Sequence, residues 1–148
     1  MALVTVTTTY RNDKVSAETL LLNTAKIVDF YSKDVSNTIF YYKELEDRRE
    51  KTIKYETALT NAQFEALFDE ALYVTRIALP VLEIYSPSKR TFAETLNVAA
   101  GDIIKAKDID TTTSYLWFAR GAFQKVKVKV NATIAEIESA SSTSDSIL

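Results

Sequence analysis

The chain has 148 residues, 47% of them hydrophobic, with 18 basic and 20 acidic side chains giving a net charge of −2. That is enough apolar material for one ordinary domain or two very small ones, and the charge balance gives no electrostatic reason to expect nucleic acid as a partner. Cysteine and histidine are absent and only two glycines occur, Gly101 and Gly121, which excludes disulfides, thiolate and imidazole chemistry and the glycine-rich loops that cradle phosphates.

In chain order, strand signals dominate. The opening "MALVTVTTTY" lacks the basic and apolar regions of a signal peptide, and Ala2–Tyr10 is rich in valine and threonine, which fit a pleated surface. The turn-like "RNDK" of 11–14 ends it. A second apolar run, Thr19–Leu22, stops at Asn23; "KIVDFY" (26–31), "NTIFYYKELE" (37–46) and "KTIKYETAL" (51–59) then read as three successive strands with short polar links. The next segment changes period. In "TNAQFEALFDEALYV", Phe64, Leu67, Phe68, Ala71 and Leu72 fall on one helical face, and Thr60 with Gln63 has the spacing of a capping box, which predicts a helix over about 60–74. The remainder returns to strands: "IALPVLEIY" (77–85), a "SPSK" turn, "RTFAETLNV" (90–98), a turn at Gly101, "DIIKAKD" (102–108), and a hairpin of "TTTSYLWFAR" (111–120) and "FQKVKVKVN" (123–131) around Gly121. Residues 131–138 fit a helix or a continued strand equally. The tail "SASSTSDSIL" is a poor core former.

The fold class is therefore mainly β (α+β), built of antiparallel strand meanders with one helix. Three parts are expected: a strand meander plus helix over 1–75, a second strand-rich unit over 76–138 sharing its core with the first, and a polar tail over 139–148. The tetrapeptide "AETL" stands at 17–20 and again at 93–96, a shift of 76. The same shift lays Ile27-Val28 on Ile103-Ile104 and Ile39–Tyr42 on Tyr115–Phe118, apolar on apolar. After a shorter second hairpin the shift becomes 70, from 61 to 131, and "NAQFEAL" then faces "NATIAEI". Two explanations stand: a duplicated strand-meander-plus-helix unit, or the tolerable alignment that any two strand-rich halves give. A unit of about 70 residues is marginal alone, so each would share a core or lean on a neighbour.

Candidate chemistry is sparse. "DIDTTTS" (108–114) places Asp108, Asp110 and Thr112 like the first ligands of a calcium loop, but Thr113 and Ala119 stand where that loop needs glycine and glutamate, so a polar turn is expected and no metal. In "KVKVKV", Lys125, Lys127 and Lys129 face one way and the valines the other. The lysines suit protection of an edge strand, contact with an acidic protein surface, or phosphate. With Arg120 and the aromatic pair Tyr115 and Trp117 they could also form a face for single-stranded nucleic acid, although core packing explains the same aromatics. Glu44, Glu46, Asp47 and Glu50 flank a charge-rich hairpin tip, where little desolvation is available to perturb a catalytic carboxylate. No catalytic residue, cofactor or metal site is expected, and the chain is not expected to be an enzyme. No stretch reaches the roughly 18 apolar residues of a membrane helix; a soluble, cytoplasmic protein without a membrane partner is expected.

The segments "LVTVTTTY", "NVAAGDIIKAKDIDTTTSYLW" and "SASSTSDSIL" resemble those of minor structural proteins of tailed bacteriophage virions. The resemblance implies a head, connector, tail or decoration subunit used in many copies of a virion; it carries no site residue. The expected function is a non-enzymatic assembly protein, a homo-oligomer that also meets other structural subunits, joined through strand edges and through terminal arms at about 1–10 and 139–148. The alternative is a small β-rich module binding single-stranded nucleic acid or an acidic protein, through Arg120, Lys125, Lys127 and Lys129.

Overall fold

The computed structural model describes residues 2–46, 48–69, 73–85, 88–121 and 124–142. Its strands are β1 (Leu3–Arg11), β2 (Lys14–Asn23), β3 (Ile27–Ser32), β4 (Thr38–Glu46), β5 (Arg49–Thr57), β6 (Arg76–Ile84), β7 (Arg90–Ala99), β8 (Ile103–Asp108), β9 (Ser114–Arg120) and β10 (Gln124–Val130). Two helices, α1 (Asn61–Ala66) and α2 (Ile134–Ser141), follow β5 and β10. The strands form one antiparallel sheet in the order β3-β4-β5-β1-β2-β8-β9-β10-β6-β7. The fold is thus mainly β, as the strand signals predict.

The second half of the sheet repeats the first. In each half the chain runs through a hairpin, a 3-10 turn (Thr24–Lys26 or Ala100–Asp102), three meandering strands and a helix. Each half also has the same spatial order: β8-β9-β10-β6-β7 matches β3-β4-β5-β1-β2 strand for strand. The irregularities repeat too. A bulge lies between Ile27 and Asp29 against β4, and another between Ile103 and Lys105 against β9; a further one at Thr8/Tyr10 returns at Val81/Glu83. Bulges re-aim side chains and pin register, so their recurrence ties the halves together residue by residue. Both copies of "AETL" lie in the matching strands β2 and β7.

This register corrects one expectation. Thr38 pairs with Thr57 and Ser114 with Val130, so a shift of 76 at the start of β4 becomes 73 at the end of β5, not 70. The helices then match cap on cap. Thr60 and Gln63 close a capping box at α1, and Thr133 and Glu136 close one at α2. Residues 134–141 are therefore helix rather than continued strand. The predicted first helix starts at its predicted cap, but its α-helical part ends at Ala66 and a 3-10 turn covers Leu67–Asp69. Of its apolar face, Phe64 is buried while Ala71 and Leu72 lie outside the described residues, as do Asp47, part of the "SPSK" turn and residues 143–148.

The ranges expected to act as joining arms, about 1–10 and 139–148, are built into the fold where they are described. Residues 3–11 form β1, between β2 and β5, and residues 139–141 form the last turn of α2, with Ala140 and Ser141 buried. The "RNDK" turn is a two-residue hairpin with φ of 50° at Asn12 and 66° at Asp13, the left-handed pair that matches strand twist. Asn12 also anchors it to β5, donating its N–H to the Lys54 carbonyl at 2.7 Å.

Two apolar cores result. The first gathers Val4, Val6, Leu20, Leu22, Phe40, Tyr42, Tyr55 and Phe64; the second gathers Leu79, Val98, Ile103, Leu116, Val126, Val128, Val130 and Ile137. They trade side chains where the halves meet: Ile104 of β8 sits in the first core, and Leu3 and Leu21 of β1 and β2 sit in the second.

Candidate functional site

The lysine strand is not an edge. β10 lies between β9 and β6, so Lys125, Lys127 and Lys129 guard no free hydrogen-bonding row, and the edge-protection reading is corrected. Period-two alternation holds: Val126, Val128 and Val130 are fully buried while the lysines face outward. Lys127 stands over Tyr115, Tyr85 and Trp117 at 4.0, 4.9 and 5.5 Å from the ring centroids, and Lys105 stands 5.4 Å from Trp117. Cation–π contact thus engages the rings that base stacking would use. Arg120 is exposed at the end of β9, opposite Gln124.

The Asp-rich loop is used internally. Asp110 Oδ1 accepts the N–H groups of Thr112 and Thr113 at 2.9 and 2.8 Å, which lowers its pKa to about 2. Asp108 Oδ1 accepts the N–H of Ile134 at 2.9 Å, at the first turn of α2. Among the described residues no cluster of three or more acidic side chains is placed to hold a metal, and no helix is long and apolar enough to cross a membrane.

The most elaborate polar chemistry lies at the joint between the halves. There β2 pairs with β8 over three residues: Leu20 with Lys107, Leu21 with Ala106, and Leu22 with Lys105. The bulge in β8 turns Ile104 into the first core. Tyr42, fully buried, accepts the Asn23 N–H at 2.7 Å and donates its hydroxyl to the Ile104 carbonyl; burial holds its phenol well above the usual pKa. Asn23 Nδ2 donates to the Ile103 carbonyl at 3.0 Å, and Lys107 Nζ meets Glu18 at 2.8 Å.

Glu44 is the hub. Sequence reasoning placed it in a solvated turn, yet it is 5% exposed, with Tyr55 OH at 2.5 Å, Lys105 Nζ at 3.1 Å and Arg11 at 3.6 Å. Its partners come from β5, β8 and β1, and no local spacing announces them. Burial, then the Glu44 charge, raise the Tyr55 phenol. α2 seals the other side: Glu138 Oε1 accepts the Thr5 N–H at 2.8 Å, beside a groove lined by Thr5, Ala135, Glu138 and Ser139.

The second half carries Phe118 at the place of Tyr42, so a phenylalanine fits there. Tyr42→Phe strands the Asn23 N–H and the Ile104 carbonyl in an apolar setting. The expected cost is about 1–3 kcal/mol, measured by urea unfolding, with an unchanged far-ultraviolet dichroism spectrum. A cost near zero would show that the hydroxyl does not tie the halves together.

Among the described residues the sheet ends in two edges, β3 and β7. The β3 edge is apolar: Val28 is 53%, Tyr31 44% and Phe68 of the neighbouring 3-10 turn 40% exposed. Phe30 stacks on Phe68 with centroids 5.4 Å apart, and a groove of about 500 Å³ opens between Phe30, Ala62, Glu65, Ala66 and Phe68. No family model matches the chain, and neither a curated protein nor a solved structure matches it.

Proposed function

We propose that the chain is a non-enzymatic structural subunit that assembles through the edges of its sheet, in the particle of a tailed bacteriophage that the sequence resemblance implies. The apolar β3 edge, unpaired among the described residues, carries this reading. A free edge offers a row of main-chain donors and acceptors to another chain, and soluble proteins usually blunt it with lysine, proline or a covering element. Here Val28, Phe30 and Tyr31 line the strand around a single charge, Asp29, and the bulge at Ile27/Asp29, with Phe68 beside them. Apolar surface of this kind beside open main-chain groups marks an interaction site. Light scattering behind size exclusion tests it: the mass is expected to exceed one chain and to rise with concentration. A single-chain mass up to the highest soluble concentration would overturn the reading.

A further inference from the structure

We infer that the partner at each edge is a second copy of this chain, joined head to tail: β7 of one copy pairs with β3 of the next and repeats the joint that β2 and β8 make within the chain. This rests on the assembly reading above and specifies its interface. The shift of 76 carries β2 onto β7 and β3 onto β8. The strands joined inside the chain therefore correspond to the two that remain at the edges. Transferring the inner register places Leu96 opposite Tyr31, Asn97 opposite Phe30 and Val98 opposite Asp29.

Three features of the free edges match the inner joint. Val28 occupies the bulge position of Ile104; it is 53% exposed where Ile104, inserted into the neighbouring half, is 1% exposed. The α2 residues that line the groove against β1, Ala135, Glu138 and Ser139, correspond by 73 to Ala62, Glu65 and Ala66, which line the open groove of α1. Glu65 is exposed and stands where Glu138 accepts the Thr5 N–H; Ala78 of the preceding copy, the one that supplies β7, takes the place of Thr5.

One of the two inner ion pairs also has a counterpart. Glu18 with Lys107 at 2.8 Å has none, since Glu94 and Tyr31 stand there. Glu44 with Lys105 at 3.1 Å has one: the outer equivalents are Arg120 of one copy and Asp29 of the next. Both signs are reversed, so attraction is kept. A reversal at one position alone would have set like charges together, which disfavours pairing. The outer joint is the weaker one. Phe118 and Ala99 replace Tyr42 and Asn23, and Arg76 and Asn97 replace the buried Leu3 and Leu21, so assembly is reversible. Such a heterologous joint closes into a ring if its rotation divides the circle, and otherwise grows as a filament.

Charge exchange tests the joint without touching either core. Asp29 and Arg120 are both exposed, and circular dichroism checks that each variant folds. Asp29→Lys alone sets Lys against Arg120, and Arg120→Glu alone sets Glu against Asp29. Each is expected to weaken self-association at least about tenfold, read by sedimentation. An equimolar mixture is expected to restore it, because every contact between unlike copies again joins opposite charges. Single variants that assemble like the parent, or a mixture that does not recover, would overturn the joint while leaving the assembly reading intact. A parent chain that is monomeric throughout would overturn both. The chain has no cysteine, so a second measurement is available. Leu96→Cys and Tyr31→Cys chains are expected to form disulfide-linked pairs only when mixed. Cross-linking of either chain with itself, or none in the mixture, would overturn the head-to-tail register.

Discussion

Glu44→Ala is expected to lower stability by about 3–5 kcal/mol, a fall in melting temperature of roughly 10–15 °C for a chain of this size. The loss is not that of one hydrogen bond. The carboxylate compensates Lys105 and Arg11 and takes the Tyr55 hydroxyl in a site that water barely reaches. Removing it leaves two partly buried cations, Lys105 and Arg11, and the buried Tyr55 phenol without their shared acceptor, and loss of a buried charge's partner is what makes such deletions costly. Glu44→Gln keeps the shape and an acceptor for Tyr55, so it should cost less. Glu50→Ala is the control: Glu50 meets Lys43 at 3.0 Å, but both are exposed, and such pairs contribute about 0–1 kcal/mol. Urea unfolding at one fixed protein concentration measures all three, since self-association would otherwise add a concentration-dependent term. Equal effects for Glu44→Ala and Glu50→Ala would mean that the hub does not hold the halves together.

The contrast between Glu44 and the lysines shows what was legible in the chain. Alternation in "KVKVKV" records which side of a strand faces the core, and Val126, Val128 and Val130 are buried as that pattern requires. Alternation says nothing about neighbours along the hydrogen-bonding direction, so it could not reveal that β10 is an inner strand. Glu44 failed for a related reason. Its surroundings are set by β1, β5 and β8, while its sequence neighbours Glu46 and Glu50 lie on an exposed hairpin tip.

The repeat was readable because "AETL" and the apolar pairs after it fall in matching strands without a gap between them. Its last stretch keeps a shift of 73, not 70, because the similar letters of "NAQFEAL" and "NATIAEI" beyond the shortened hairpin do not mark equivalent positions. The capping spacing of Thr133 and Glu136, the same signal used at Thr60 and Gln63, would have given both the correct shift of 73 and the second helix. The joint and the two edges depend on strand order. No local pattern encodes that order, although once it is known the repeat identifies the equivalent of every residue at the joint.

Phe64→Ala is expected to cost about 3–5 kcal/mol and to damage the β3 edge along with the core. Phe64 is fully buried, with ring centroids 4.9 Å from Phe40, 5.0 Å from Phe30 and 6.2 Å from Phe68. It is also the buried side chain of α1, a helix of six residues, too short to hold itself without packing. Removing the ring opens a cavity beneath α1 and takes away the surface that positions Phe30 and Phe68. The second half provides the comparison. Ile137 is fully buried at the matching position of α2, so Ile137→Ala should cost about 2–5 kcal/mol. It should leave the Phe30–Phe68 surface undisturbed, because α2 packs at the inner joint. Chemical unfolding gives both costs, and light scattering well below the melting temperature gives the mass of each folded variant. The expected result is two destabilised chains, of which only Phe64→Ala loses self-association. Loss in both variants alike would point to general destabilisation and remove the special role assigned to the aromatic edge.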